Sequence, residues 1–375
     1  MTKFLEDLNG FVWGAPALVL ILGVGMYLSV RTGFPQITLF PRALKLFWKR
    51  LFRREGTGSS LRCLCTALAA TVGTGNLAGV AGAIALGGPG AVFWMWLSGF
   101  LGMATKYAEA TLAVRYRSEE SGEVRGGPMY IITRGLGHRW KPLAKLYCLL
   151  GILASFGVGN ATQVNTLTAS VGELLRSFGR EPGIGAAWLL GMLLAVLVAA
   201  ALLGGADRIG AAAERLIPFA SAGYVFLCVL VLLLRFREIP TAFSAILTGA
   251  FSPRAVTGGM LGSGFTALRI GCSRGVFTNE AGMGTAAIAH GGAEVDHPCE
   301  QGLMGIMEVF LDTIVICTLT ALTILVSGVP IPYGTDAGAV LTETAFCRVL
   351  GRGASAFLAA AVCCFAFATV LGWGL

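Results

Sequence analysis

Charge is what this sequence has least of. Asp, Glu, Lys and Arg make up 13% of its 375 residues, against roughly 25% in a soluble domain. With 55% hydrophobic residues and a mean hydropathy of +0.75, there is too little polar surface to cover so apolar a core. Lipid must be the solvent for much of the chain. Short alternating apolar segments are missing as well, which excludes a β-barrel. Histidine occurs three times, and the ten cysteines are scattered, mostly in apolar stretches (Cys148, Cys228, Cys317, Cys363, Cys364). None has metal-ligand spacing, so they read as reduced small hydrophobes and no cofactor is expected. No Ser/His or paired-carboxylate arrangement stands at convincing spacing, so the chain does not read as an intramembrane enzyme. Before the first apolar run there is only Lys3, followed by Glu6 and Asp7. That is not the basic leader of a secretory signal, and the run is expected to stay as a helix.

What is present is a series of apolar runs of about the 20 residues that a hydrocarbon core of roughly 30 Å requires. Nine candidate spans follow: 11–30, 61–86, 89–113, 146–170, 185–205, 213–235, 258–290, 301–327 and 354–375. The prediction is an all-α polytopic membrane protein. Of the 53 glycines, most lie inside these runs, where small residues let helices approach closely.

The net charge of +8 does not point to nucleic acid, because the basic residues collect in two interhelical segments. Segment 31–62 holds eight Lys and Arg, and 114–145 holds seven. With Arg208 and Arg215, one side carries 17 and the other eight. The positive-inside rule makes the first side cytoplasmic and puts the N-terminus outside. The basic, amphipathic stretch Leu39–Phe52 is expected to lie on the cytoplasmic lipid surface.

Two spans are unusual. The second is interrupted at Gly73-Thr74-Gly75-Asn76, and the seventh around Gly271-Cys272-Ser273-Arg274-Gly275. They are five spans apart and so oppositely oriented. Gly-interrupted segments at matching positions of two inverted halves point to a transporter binding site. Unwound backbone is tolerated in lipid only where it lines a cavity or is buried in protein. There a half-helix N-terminus suits a carboxylate, and freed carbonyls suit a small cation. Thr71 and Thr74 add hydroxyls and Asn76 an amide, so a zwitterion with sodium would need no buried protein charge.

Other polar residues lie at membrane depth. Asn160 and Asn165 are expected to make hydrogen bonds between helices. Glu308 and Asp312, four apart on one face of the eighth span, read either as a proton relay or as partners of Arg269, Arg274 or Lys106. Lys106 and Glu109 are expected to form a local pair near a cytoplasmic end, the lysine snorkelling. His290 and His297 flank the loop after the seventh span without metal-ligand companions.

The stretches GTGNLAGVAGAIALGGPGAVFWMW (73–96), GMATKYAEATLAVRYR (102–117), GGPMYI (126–131), SRGVFTNEAGMGTAAIAH (273–290) and QGLMGIMEVFLDTIVICTLTA (301–321) resemble the alanine or glycine:cation symporter family. The likeness covers essentially the whole chain. It implies sodium-coupled uptake of alanine or glycine by alternating access, and an inverted-repeat fold of the LeuT type in a bacterial inner membrane. The implied substrate pocket comprises Thr74, Gly75, Asn76, Gln163, Phe265 and Trp373. The implied sodium site uses backbone carbonyls near Ala69 and Val72 with the Thr369 hydroxyl. Where the family reads Ser-Thr this chain has Ala368-Thr369, leaving one hydroxyl, and Thr278 replaces a Ser.

On this reading 1–60 forms an extra helix and the basic segment, 61–237 the first repeat and 238–375 the second. The second lacks its last helices, because nine spans are present where the family has eleven. An apparently truncated chain is therefore expected to bind or transport poorly. A proton-coupled small-solute transporter and a non-transporting truncated remnant are the alternative readings.

Overall fold

A computed structural model describes residues 3, 10–52, 60–120, 123–181, 183–252 and 264–375. The chain is almost wholly helical. Helix α1 (Ala15–Arg31) precedes α2 (Phe40–Leu51), which carries the amphipathic pattern read from the sequence. The second span is α3 (Ser60–Thr71), a wide π-helical stretch (Gly75–Gly79) and α4 (Val80–Gly87), bent by 49° at the join. Helix α5 (Ala91–Arg115) follows, then a small antiparallel hairpin, β1 (Ser118–Glu120) with β2 (Glu123–Arg125). Helices α6 (Lys141–Ala154) and α7 (Thr162–Ser177) flank another π-helical stretch. Then come α8 (Ile184–Leu202), α9 (Gly205–Leu234), α10 (Ile239–Phe251), α11 (Gly264–Asn279) and α12 (Thr285–Gly291). The eighth expected span is α13 (Pro298–Val309), a π-helical stretch (Phe310–Cys317) and α14 (Thr318–Val326). The chain closes on α15 (Gly338–Leu350) and α16 (Gly353–Gly374).

Among the described residues six helices are long and apolar enough to cross a membrane, or seven counting the bent pair. Nine were expected. Of the other two, α5 has the length, about 37 Å at 1.5 Å per residue, but buried Ser98, Thr105 and Lys106 dilute its hydropathy. The other is divided between α11 and the seven-residue α12. Its expected start, 258–263, lies outside the described residues, as do Arg53, Arg54 and Arg254 of the charge count.

The core is built on α3, α4 and α5, with α9, α13, α14, α15 and α16 packed around them. Helices α8 and α6 show mostly exposed apolar side chains, such as Trp188, Leu189, Leu149 and Leu153. That is the pattern of helices whose outer face meets lipid.

The seventh span does not break where the sequence suggested. Helix α11 runs unbroken through Gly271–Gly275. A Cβ on Gly271 would strike the Ala91 carbonyl, and one on Gly275 the Ser98 hydroxyl. These glycines are packing contacts that let α11 lie tightly on α5. The chain unwinds instead at 280–284, where Glu280, Gly282 and Gly284 have φ of 52°, 92° and 80°.

Candidate functional site

The break in the second span opens a gap in the helical ladder. The Gly73 N–H turns to the Asn76 side-chain oxygen, 2.9 Å away, in place of the Ala69 carbonyl that an unbroken helix would offer it. Thr74 donates its hydroxyl to Gln163 Oε1 on α7 at 2.7 Å, and Gln163 in turn donates to the Val158 carbonyl at 3.1 Å. Thr369 of α16 occupies the place that a Cβ on Gly73 would take. Its hydroxyl is buried and makes no hydrogen bond to the protein. A buried polar atom without a partner costs about 1–3 kcal/mol, so this oxygen is available to a ligand.

Thr74, Gly75, Asn76, Gln163, Ala69, Val72 and Thr369 are thus brought together around one break. Trp373 stands one turn beyond Thr369. It packs on Gly159, where a Cβ would come within 2.6 Å of the indole side chain, and its Nε1 is buried without a partner. With Thr66, Ala70, Tyr147 and Thr285, Trp373 lines a cavity of about 440 Å³, in the usual range for small-molecule sites of roughly 300–1,000 Å³. Phe265 is not brought to this group. It is 63% exposed at the start of α11, some 20 Å of helix from Thr278, which touches Gly75. The aromatic next to the break is the half-buried Phe277, whose ring would lie 3.8 Å from a Cβ on Gly75. Its signal was sequence proximity to the NEAGMG stretch (279–284).

Around the second break, protein groups take the free donors. Glu109 accepts the N–H groups of Gly282 and Gly284, each at 3.1 Å. Ala281 N–H donates to Asn279 Oδ1 at 3.0 Å, and Thr285 donates to Glu280. Lys106 is fully buried rather than snorkelling, and pairs with Glu308 at 2.9 Å. Glu308 also meets His290 Nε2 at 2.9 Å, and His290 contacts Gln301, which bonds to Ser60 at the start of α3. Arg274 pairs with Asp336 instead, at 2.8 Å, and Arg269 is exposed. Of the expected basic partners Glu308 thus meets Lys106, while Asp312 bonds to Asn76. Asn160 and Asn165, expected to bridge helices, are both exposed. All ten cysteines are free, and no cluster of three metal ligands occurs among the described residues.

Apolar helices around a buried, unwound, polar segment define a multi-pass membrane transporter. The chain belongs to the sodium:alanine symporter family, whose description matches residues 1–375. It is 43% identical to the sodium/alanine symporter AgcS of Methanococcus maripaludis, over 99% of this chain and 81% of the relative. It is 36% identical to a putative sodium/proton-dependent alanine carrier, YrbD, of Bacillus subtilis, over 100% and 77%. A probable sodium/glutamine symporter of the same organism, GlnT, is 35% identical over 99% and 76%. Membership of a symporter family places the chain among transporters, not enzymes. The family match extends to Leu375, and the chain spans about four fifths of the length of these relatives.

Proposed function

We propose that this protein couples the uptake of a small neutral amino acid, alanine or glycine, to sodium. Substrate binds at Thr74, Gly75 and Asn76, with Gln163 and Trp373 facing it. Sodium takes the carbonyls of Ala69 and Val72 and the hydroxyl of Thr369. The observation that carries this reading is the orphaned Thr369 oxygen beside the opened ladder at Gly73. An oxygen with no protein donor to satisfy it suits a small hard cation, whose ligands are oxygens. The N-terminal end of the half-helix that starts at Gly75 favours the substrate carboxylate. Thr74 and Gln163 then bound the space left for a side chain, which favours a small one.

The cavity beside Trp373 is read as the path to the cytoplasm. It lies against α3, α12 and Met129, on the side that the basic segments 31–62 and 114–145 make cytoplasmic. Segments 61–237 and 238–375 form two inverted repeats of a LeuT-type fold, after an extra helix with its N-terminus outside the inner membrane. The two breaks in oppositely directed spans support that arrangement. Residues 1–60 supply that helix and the membrane-surface α2.

The deciding experiment is uptake into proteoliposomes with a panel of small amino acids, in sodium and in choline at fixed pH. Sodium-dependent alanine or glycine uptake is expected, and its loss in Asn76→Ala. Uptake that survives choline assigns the coupling to protons instead. Unchanged uptake in Asn76→Ala sinks the site.

A further inference from the structure

One continuous file of hydrogen bonds joins the two breaks. It begins at the Gly73 N–H, which donates to Asn76 Oδ1 at 2.9 Å. Asn76 Nδ2 donates to Asp312 Oδ1 at 2.7 Å, and also reaches the Asp312 carbonyl at 3.2 Å. From the other side, the Ala281 N–H donates to Asn279 Oδ1 at 3.0 Å, and Asn279 Nδ2 donates to Thr313 Oγ1 at 3.1 Å. Thr313 donates to Asp312 Oδ2 at 2.8 Å. Asn76, Asn279, Asp312 and Thr313 are all buried. Both ends of the file are backbone N–H groups in unwound segments, and both directions of donation converge on one carboxylate.

Local structure makes this possible. Asp312 and Thr313 are consecutive, so on a helix their side chains point about 100° apart, one to each break. They lie in the wide π-helical stretch of the eighth span, an irregularity that often marks functional positions. Gly99 of α5 leaves room for Thr313, whose methyl would stand 2.8 Å from a Cβ there.

We propose that Asp312 is a positioning residue that locks the two breaks to each other, so that filling the first with substrate and sodium fixes the backbone of the second. The proposal rests on the reading of the first break as the binding site. Asp312 is the acceptor to which both arms of the file donate. Asparagine in its place would turn its NH2 toward Thr313, whose hydroxyl can accept it while still accepting from Asn279, so the file would survive that change. Leucine accepts from neither arm and leaves Thr313 without its acceptor. Thr313→Val cuts the arm to Asn279 without touching a charge, and Thr313→Ser restores the hydroxyl.

The test is amide hydrogen exchange of 72–76 and 279–284 in the full chain, with and without alanine plus sodium, alongside uptake kinetics. In the unaltered protein both segments should gain about tenfold protection. In Thr313→Val only 72–76 should gain it, Asp312→Leu should leave 279–284 without it, and Thr313→Ser should recover both. Maximal uptake should fall about tenfold in Asp312→Leu and Thr313→Val, with half-saturation for alanine in Thr313→Val moving less than about threefold. Protection of 279–284 that persists in either Asp312→Leu or Thr313→Val overturns the proposal, as does an unaltered protein that protects 72–76 alone. Protection of neither segment in the unaltered protein overturns the binding-site reading and the proposal with it. Should Asp312→Leu fail to fold, the Thr313 pair decides alone.

Discussion

The two broken spans meet at the centre of the molecule, and they use their unwound backbone in opposite ways. The second break is closed on itself. Its N–H groups at Ala281, Gly282 and Gly284 are taken by Asn279 and Glu109, and a fully buried Lys106–Glu308 pair lies beneath it. The first break has no formal charge of its own, touches a charge only through Asn76, and leaves the Thr369 oxygen unmet. Glu109 Oε2 is also buried without a partner, but the carboxylate that carries it already holds two backbone N–H groups, whereas nothing in the protein holds the Thr369 hydroxyl. Matching interruptions in a sequence can therefore carry unequal chemistry: one leaves a hydroxyl open to a ligand, the other is braced by a carboxylate.

The strongest way to break this contrast is Lys106→Ala. Removing one partner of a buried ion pair costs about 3–5 kcal/mol, because the remaining charge is left uncompensated. The purified protein should lose thermal stability by that order, whether or not alanine and sodium are present. Replacing both partners, as Lys106→Met with Glu308→Gln, should recover part of it. An Lys106→Ala protein of normal melting temperature that had lost only sodium affinity would show the second break to be the ligand site.

Thr74→Val probes the other break with a smaller effect. Valine keeps the shape and removes the hydroxyl that holds Gln163. Stability should fall by about 1 kcal/mol, the net worth of one hydrogen bond. Alanine uptake efficiency should fall about tenfold, equivalent to ~1.4 kcal/mol. A stability loss as large as that of Lys106→Ala, with uptake intact, would erase the distinction between the two breaks.

How much of this the sequence disclosed differs between the same two places. The first break was legible, since Thr74-Gly75-Asn76 inside an apolar run has no packing purpose to explain all three. The second was misplaced by about ten residues. Gly271 and Gly275 looked like an interruption, but a glycine reads the same whether it bends a chain or admits a neighbour, and the neighbour here is α5. The true break had its own signature in Asn279-Glu280-Ala281-Gly282-Met283-Gly284, polar residues followed by two glycines, a pattern that ends helices. Lys106 and Glu308 lie some two hundred residues apart, and only the packing of α5 on α13 pairs them. Phe265 and Phe277 sit on one helix, and nothing in their spacing tells which of them reaches the break.

The finest test of the contrast uses pH and the helix that covers the first break. Helix α15 covers its outer half, where Thr342 donates to the Leu77 carbonyl at 3.0 Å. At 13 residues, about 20 Å, α15 is too short to cross a bilayer. It carries Glu343, whose carboxyl is pushed up to about 7 by burial, opposed by the Ser170 hydroxyl that donates to it and reinforced by nearby Glu173. In an unfolded chain a glutamate titrates near 4.3. Between those values the folded state holds a proton that the unfolded state has released, so stability falls as pH rises. The docking of α15 is then strongest below about pH 4.5, weakens through pH 5–7, and has lost this contribution above about pH 7. Amide protection in α15, normalised to an unstructured peptide of the same sequence at each pH, should be higher at pH 6 than at pH 8. Glu343→Gln should make it flat, and should leave the protection of 279–284 at each pH as it is in the unaltered protein. An effect of Glu343→Gln on 279–284 as large as that on α15 would mean that the brace, too, is tied to the outer cover, and that the two breaks are less separate than their hydrogen bonds imply.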